Sequence, residues 1–544
     1  MLNLTPEQKQ VGRENFQTAL GFTRRDFLAG AAVGVPLGAF CFGYAKLDGN
    51  PVRAGIIGCG DEGQVLVAES NPDYIEFIGF SDIRPSNQKR AMDGEPRGPR
   101  VGFRRKYGEE KAKQVARRST ENHYHDDYHN MLADPDIELV VIALPLHLHD
   151  KVAIEAMRAG KHVLCEKLMA QSVGRCKEMI RVSQEEKKLL AVGHQRHYSV
   201  LYDNAVSVVH SGMLGDIRHI RALWHRNNTF YRYEKNADGT IKLDDKGQPV
   251  HVRDDRGRPM FIDGWRNIVP EEDKSIDFVR HGYKDAEELV RWRLFNKTGG
   301  GLMAELGSHQ LDASSIFIAR GVHGGHGHIH PLAVSGVGVK SFYEDEREAD
   351  DHIFVTFEFP GPQHGKTAGD REDVVIVTYS SINTNSFEGY GETVYGSRGT
   401  MIVEREAEIF QFKEGDPNAA SLKPPGATNI TIKDAPGGKP VMEASPTAPA
   451  ATPQAAIALS GQLSKGYREE MEHFAYQVKR FSPGDYDKLT GELRCDGTVA
   501  MGDAVIALVA NMAMKQRRRI EFKEAWFDPK SPDVPEGPDQ LANS

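Results

Sequence analysis

The sequence predicts an α/β protein whose N-terminal part is a doubly wound parallel sheet and whose C-terminal part carries a second sheet. A short apolar strand, Ala54–Cys59, runs into a turn with glycines at 58, 60 and 63 and then into a helical segment, Gln64–Ser70. Apolar runs recur at Ile75–Phe80, Leu139–Leu144 and Lys161–Cys165, with a helical stretch at Lys151–Ala159. Near-continuous apolar strands suit a parallel sheet covered on both faces, and alternation with helices implies right-handed crossovers. Farther on the period changes to two. Asp351–Pro360 and Asp373–Ser380 alternate apolar and polar residues, as half-buried strands do.

The chain opens with a segment of a different kind. Thr23–Leu28 reads T-R-R-D-F-L and precedes a weakly apolar stretch, from Phe27 to about Ala45. That stretch is short for a membrane span. A twin arginine before such a stretch is the address read by the twin-arginine export machinery. Residues 1–45 are therefore expected to be a signal region, and the protein to be periplasmic, or membrane-anchored facing the periplasm. Gly43-Tyr44-Ala45 offers small residues for cleavage before Lys46, whereas Phe40 directly before Cys41 argues against a lipoprotein.

Residues 51–192 form the expected dinucleotide-binding domain, of the Rossmann type. In Gly58-Cys59-Gly60-Asp61-Glu62-Gly63, Gly58 permits the tight turn, Gly60 lets backbone approach a pyrophosphate, and Gly63 lets helix pack on strand. The phosphates are expected at the helix N-terminus, where free N–H groups and the dipole favour anions. Asp82 follows the second strand where an acid should meet the adenosine ribose. A carboxylate there favours NAD, while Arg84 keeps NADP open. Leu144, Pro145, His147, His149, Glu166 and Lys167 lie at or just beyond strand carboxyl ends, where ligands of such sheets bind.

The remainder, 193–527, is expected to be a substrate and oligomerisation domain. It carries a Gly/Asp/Lys/Arg-rich insertion at about 231–263, with a hairpin near Asp238-Gly239, lying over the substrate side. A Pro/Ala/Gly/Thr-rich flexible excursion spans about 424–454, and 528–544 is a tail. Gly466–Phe481 reads as an amphipathic helix, and Asp496–Lys515 as a closing helix against the cofactor domain. No internal repeat is evident. A length of 544 residues suits two or three domains, and a net charge of -9 argues against a nucleic-acid partner. The five cysteines form no C-x-x-C pair. His323, His326, His328 and His330 crowd a glycine-rich stretch and read as a solvated loop, so no metal is expected.

Several ordered segments resemble the Gfo/Idh/MocA oxidoreductases, the glucose–fructose oxidoreductase and inositol 2-dehydrogenase family. They are Gly55–Gly63, Ser81–Pro85, Ala143–His149, Ala159–Lys167, Gly193–Tyr198, Ser211–Gly215, Trp292-Arg293 and Gly299–Asp312. The resemblance implies a C-terminal α+β domain with a large open, mainly antiparallel sheet, often used in oligomer contacts, so a homo-oligomer is expected. It also implies a catalytic lysine in an E-K-P motif and a D-x-x-x-H pair. Lys167 matches the lysine, and Glu305 with His309 matches the pair, with Glu in place of Asp. Leu168 replaces the usual proline and Leu144 the usual threonine-like residue.

Oxidising a secondary alcohol needs an acceptor for the hydroxyl proton within hydrogen-bond reach. Lys167 is the first candidate, if burial and a positive nicotinamide lower its pKa. On a regular helix Glu305 and His309 share a face, so the carboxylate would orient the imidazole. His194, Gln195 and Arg196 are candidate substrate contacts, as are Trp292 and Arg293, which would offer an aromatic face and a fork of donors to a sugar. Asp312 reads as a structural helix residue. The sequence thus supports hydride transfer between a tightly held nicotinamide cofactor and a sugar, cyclitol or glycoside hydroxyl carbon. Two alternatives stand beside it. One is an NAD-dependent glycosidase working by transient oxidation, elimination and re-reduction, and the other is a noncatalytic sugar-binding protein.

Overall fold

Five short strands build the first sheet: β1 (Val52–Ile57), β2 (Ile75–Ser81), β3 (Leu139–Ile142), β4 (His162–Glu166) and β5 (Leu190–Gly193). They are all parallel, in the order β2-β1-β3-β4-β5. Every residue of β3, β4 and β5 is buried, which explains their unbroken apolar character: helices cover both faces. The helices His149–Arg158 and Val173–Glu186 make two of the crossovers, and Ser172 caps the second by accepting from the Arg175 amide. The computed structural model describes residues 4–20, 41–96, 98–238, 240–322, 329–366, 372–414, 429–434, 440–445 and 465–537.

The second sheet has eight strands. β6 (Ile217–His225), β9 (Ala333–Val339), β10 (His352–Pro360), β11 (Val374–Ile382), β12 (Tyr390–Gly396), β13 (Gly399–Glu404) and β14 (Glu408–Lys413) are joined by the short β17 (Ile520–Glu521), in the order β14-β13-β12-β6-β11-β10-β9-β17. Only the β6–β11 pair is parallel, so the sheet is mixed and mainly antiparallel. In β10, Ile353, Val355, Phe357 and Phe359 are buried while Phe354 is exposed, as a period of two requires of a sheet covered on one face. The wholly buried helix Ser308–Ile316 packs against β6, β11 and β12.

The long helix Gly497–Gln516 joins the two halves. By length and hydropathy it is apolar enough to cross a membrane, yet it is mostly buried in the protein. It packs on Val173–Glu186 and β5 of the first domain and on β9 and Ser308–Ile316 of the second. Arg196, in the turn after β5, adds a polar tie. It is fully buried, donates to Glu406 Oε1 at 2.8 Å and Glu392 Oε1 at 3.0 Å, and also donates to the carbonyl of His309.

Within the expected signal region, residues 4–20 and 41–45 pack on the body of the protein. The helix Pro6–Leu20 lies on β14, with Lys9 paired to Glu404 at 2.6 Å and Arg13 to Glu408 at 2.7 Å. Phe42 and Tyr44 enter the core, and the Tyr44 hydroxyl donates to Glu472 at 2.6 Å. The Arg24-Arg25 stretch lies outside the described residues, as do His323, His326 and His328; His330 stacks on Phe527. Within the Pro-rich excursion, β15 (Asn429–Asp434) and β16 (Pro440–Ser445) pair as an antiparallel hairpin. The start of the tail is tied down: Glu536 accepts from the Val173 amide at 2.6 Å, and Lys177 donates to the carbonyls of Ser531 and Asp533.

The insertion is a ladder of linked hairpins. β7 (Thr229–Tyr231) pairs with β8 (Phe261–Asp263), and between them lie bridges Tyr233–His251, Lys235–Ile241, Leu243–Pro249 and Arg253–Pro259. Two turns are built alike. Asp244 accepts from the amides of Lys246 and Gln248, and Asp254 from those of Arg256 and Arg258. The sequences Asp244–Pro249 and Asp254–Pro259 share a D-D-x-G-x-P pattern, so a short internal repeat exists after all. The ladder is anchored at Asp263, which accepts from buried Arg347 at 2.6 Å and Asn383 at 3.1 Å.

Arg196→Met should leave Glu392 and Glu406 buried beside an apolar side chain. A loss of about 3–5 kcal/mol in unfolding free energy is expected from denaturant titration. A change within error of zero would show that Arg196 does not hold the domains together.

Candidate active site

The site begins at the first glycine turn. Gly58 has φ +92, and a Cβ there would lie 2.3 Å from the Ala143 carbonyl oxygen. A Cβ on Gly63 would lie 2.1 Å from the Gly58 carbonyl oxygen, so helix and strand touch through backbone alone. At Gly60 a Cβ would meet only Asn87 Nδ2, at 3.9 Å, leaving open space above the turn. Gly60 caps the helix Asp61–Glu69 with no side-chain hydrogen bond, so the first amides of that helix are free to face an anion. Asp61 stands among them, but Arg90 is paired to it at 2.7 Å.

A cavity of about 1190 Å³ opens over this turn, at the carboxyl ends of β1, β3 and β4. Of the residues expected to bind cofactor, Gly58, Gly60, Glu62, Asp82, Arg84, Leu144, Pro145, His147, His149, Glu166 and Lys167 line it. Cys59 and Gly63 do not. The Cys59 side chain is buried away from the cavity, while its amide donates to Asp82 Oδ2 at 2.8 Å. Asp82 is also held by the Arg84 amide at 2.8 Å and by Asn87 at 3.0 Å. Burial raises its pKa, and the two backbone N–H groups work against that rise. Arg84 does not stand free for a 2′-phosphate, because its Nε donates to buried Asp273 at 2.8 Å.

His149 is fixed by the carbonyls of Leu168 and Leu144, both at 2.8 Å, and burial lowers its pKa. Burial likewise lowers His147 to about 4, and the edge of its ring contacts Tyr283 with centroids 5.5 Å apart. Glu166 is buried, and its pKa is pushed up to about 8, first by burial and then by the charge of Glu62. Lys167 reaches across the domain boundary, and its Nζ donates to the Glu305 carbonyl at 2.9 Å. The Lys167–Leu168 peptide bond is cis.

The opposite wall comes from the second domain. Trp292, Arg293 and Glu305 line the cavity, as do Phe230, Asp263 and Arg266 from the insertion and its flank. The Arg293 guanidinium lies 4.2 Å from the Trp292 ring centroid and donates to Glu305 Oε2 at 2.7 Å. Although burial raises the Glu305 pKa, Arg293 and Lys167 outweigh it and hold the carboxyl below the usual range.

Two expectations are corrected here. Glu305 does not orient His309. Residues Met303–Gly307 form a π-turn before the α-helix Ser308–Ile316, so the phase shifts and a spacing of four no longer stacks the two side chains. Glu305 serves Arg293 instead. His309 packs against Trp224 with ring centroids 5.7 Å apart, and burial followed by the Lys167 charge drives its pKa well down. The second correction concerns His194, Gln195 and Arg196. All three are fully buried and outside the cavity, because the turn after β5 dives beneath the second domain. Sequence reasoning missed Asn87, Tyr283 and Arg266. Asn87 lies five residues after Asp82 on the following helix and was accessible to a search for partners of that acid; nothing in the sequence marks Tyr283.

Comparison with known proteins agrees with this anatomy. Residues 52–194 match the model of an oxidoreductase family's NAD-binding Rossmann fold, and residues 274–480 match the C-terminal alpha/beta domain of the same family. The chain is 29% identical over 111 residues to an inositol 2-dehydrogenase of Salmonella typhimurium, covering 20% of this chain and 33% of the relative. It is 34% identical over 178 residues to an uncharacterised oxidoreductase of Rhizobium meliloti, covering 32% of this chain and 46% of the relative. The aligned stretches thus span less than half of these relatives. A solved inositol dehydrogenase homolog from Azotobacter vinelandii, complexed with NADH and myo-inositol, shares the fold, with a TM-score of 0.51 and 15% identity over 87% of this chain and 98% of that one.

The raised pKa of Glu166 gives a stability test. Between its ordinary value of 4.5 and about 8, the folded chain keeps a proton that the unfolded chain has lost. Stability should therefore fall as pH rises through that window, by up to about 1.4 kcal/mol per pH unit from this group. Glu166→Gln should flatten the slope in denaturant titrations of the protein; an unchanged slope would mean that Glu166 is ionised in the fold.

Proposed function

We propose that this chain, which belongs to the Gfo/Idh/MocA family of oxidoreductases, catalyses hydride transfer between a sugar, cyclitol or glycoside hydroxyl carbon and a tightly held NAD. The observation that carries the proposal is the position of Lys167: at the carboxyl end of β4, in the wall of the cavity that opens over the glycine turn, hydrogen-bonded to a carbonyl of the facing domain. The residues fit the cofactor. Free amides at the start of the helix Asp61–Glu69 face the pyrophosphate position, Gly60 leaves room for it, and Asp82 stands ready for ribose hydroxyls. With Arg84 engaged by Asp273, these groups favour NAD over NADP.

When bound, the nicotinamide supplies the hydride acceptor. Lys167 Nζ accepts the proton of the substrate hydroxyl, with the Glu305 carbonyl fixing where that nitrogen sits. Arg293, steered by the Glu305 carboxylate, offers N–H donors to the substrate, and Trp292 offers an apolar face. Such a mix of one flat apolar surface and a few placed charges suits a polyhydroxylated ring.

A second reading, net glycoside cleavage with no net change in the cofactor's redox state, is favoured by Arg24-Arg25, since an exported enzyme needs a cofactor that resets in place. Incubating purified protein with glycosides and no added cofactor separates the readings. Lasting absorbance of reduced cofactor supports the dehydrogenase, and cleavage without it supports the glycosidase. Neither signal, with dinucleotide bound, supports a binding protein. In Lys167→Met, the hydride-transfer rate should drop by about 10²–10⁴ while the copurifying dinucleotide stays bound. Wild-type turnover in that variant would refute the role of Lys167.

A further inference from the structure

Away from the cavity, four ligating side chains meet in the core. His194 and His197 belong to the turn after β5, Asp312 to the helix Ser308–Ile316, and Asp503 to the long helix Gly497–Gln516. Their exposures are 0%, 6%, 1% and 1%. His194 Nδ1 lies 4.0 Å from Asp312 Oδ2 and 3.9 Å from Asp503 Oδ2. His197 Nε2 lies 2.7 Å from Asp312 Oδ1 and 4.0 Å from Asp503 Oδ2. One ligand atom from each of His194, Asp312 and Asp503 falls within 4.8 Å of the others.

These atoms lack the hydrogen bonds that buried polar groups require. Both ring nitrogens of His194, both of His197, both carboxylate oxygens of Asp503 and Oδ1 of Asp312 have no partner of acceptable geometry. His197 Nε2 and Asp312 Oδ1 are in direct contact, 2.7 Å apart. Two carboxylates packed together in a dry core are costly unless a cation or a proton stands between them. Asp503 makes the point sharply, since it interrupts a helix that is otherwise apolar on nearly every side.

We propose that His194, His197, Asp312 and Asp503 ligate one divalent first-row transition metal ion, zinc by preference, in a closed structural site. A dication balances the two carboxylates, and each imidazole would offer it the lone pair of one nitrogen. Metal–ligand bonds of about 2.0–2.2 Å put neighbouring tetrahedral ligand atoms about 3.4 Å apart, within the spread of separations found here. A two-nitrogen, two-oxygen set that is shut off from the cavity suits zinc held for structure rather than for chemistry. The ion would pin the end of β5 to two helices of the second domain, one helical turn from His309.

The full chain, purified without chelator, should carry about one zinc per chain by elemental analysis. After chelator treatment, adding zinc chloride should restore that stoichiometry and raise the melting temperature. Cobalt(II) in its place should give the visible d–d absorption of a tetrahedral N/O site. His194→Gln and Asp503→Asn should lose the metal, whereas His330→Ala, which alters a histidine outside the cluster, should keep it. If the cluster variants fail to fold, the wild-type measurements decide the matter alone. Only traces of metal in the purified protein, with neither uptake nor thermal shift on adding zinc, overturn the proposal. So does stoichiometric metal that survives in folded cluster variants.

Discussion

Backbone contact at the first glycine turn is the constraint on which the rest of the molecule depends. With no Cβ at Gly58 or Gly63, the end of β1, the chain after β3 and the start of the helix Asp61–Glu69 approach until only peptide groups separate them. That contact turns the helix N-terminus toward the carboxyl ends of the strands. It also gathers the residues after β2, β3 and β4, among them Asp82, Pro145, His147 and Lys167, around one opening. A methyl group at either glycine would drive the helix from the sheet, so the chemistry of the cavity rests on two absent side chains.

The first domain builds only half a site. Lys167 is held by a carbonyl of the second domain, Arg293 by Glu305, and the roof by the hairpin ladder anchored through Asp263 and Arg347. For these contacts to place a substrate, the two domains must keep one orientation. The buried charges of Arg196, Glu392 and Glu406, the helix Gly497–Gln516 and the histidine–aspartate cluster all lie on that junction. Polar groups buried between two apolar layers are costly to expose singly, so they oppose relative motion more sharply than apolar packing alone does. The segment around Phe42 and Tyr44 adds to this, because Phe42 packs edge-on against Tyr198 and Tyr44 stacks on His473.

The parallel sheet, its glycine turn, Asp82, Lys167 and the strands β10 and β11 were legible in the sequence, because each depends on local spacing. Period two or unbroken apolar runs mark strands, and a glycine motif between strand and helix marks the turn. Trp292 and Arg293 were legible only through resemblance. The pairing of Glu305 with His309 was misread because a spacing of four implies a shared face only on a regular α-helix, and a π-turn intervenes. His194, Gln195 and Arg196 were misread for a different reason. They follow a strand end, as ligand-binding residues do, but β5 is the edge strand and the second domain closes over the turn that follows it.

By itself, then, the sequence determined the class of fold, the glycine turn and the strand end that carries Lys167, since these follow from residues within about a turn or a strand of one another. The tertiary structure decided which acid holds Arg84 and which holds Arg293, and that two histidines and two aspartates, spread over some three hundred residues of chain, converge in the core. Those outcomes turn on where separate elements cross, and chain spacing carries no record of a crossing: Asp503 in an apolar helix is unremarkable in one dimension and becomes a ligand candidate only when His194 packs against it.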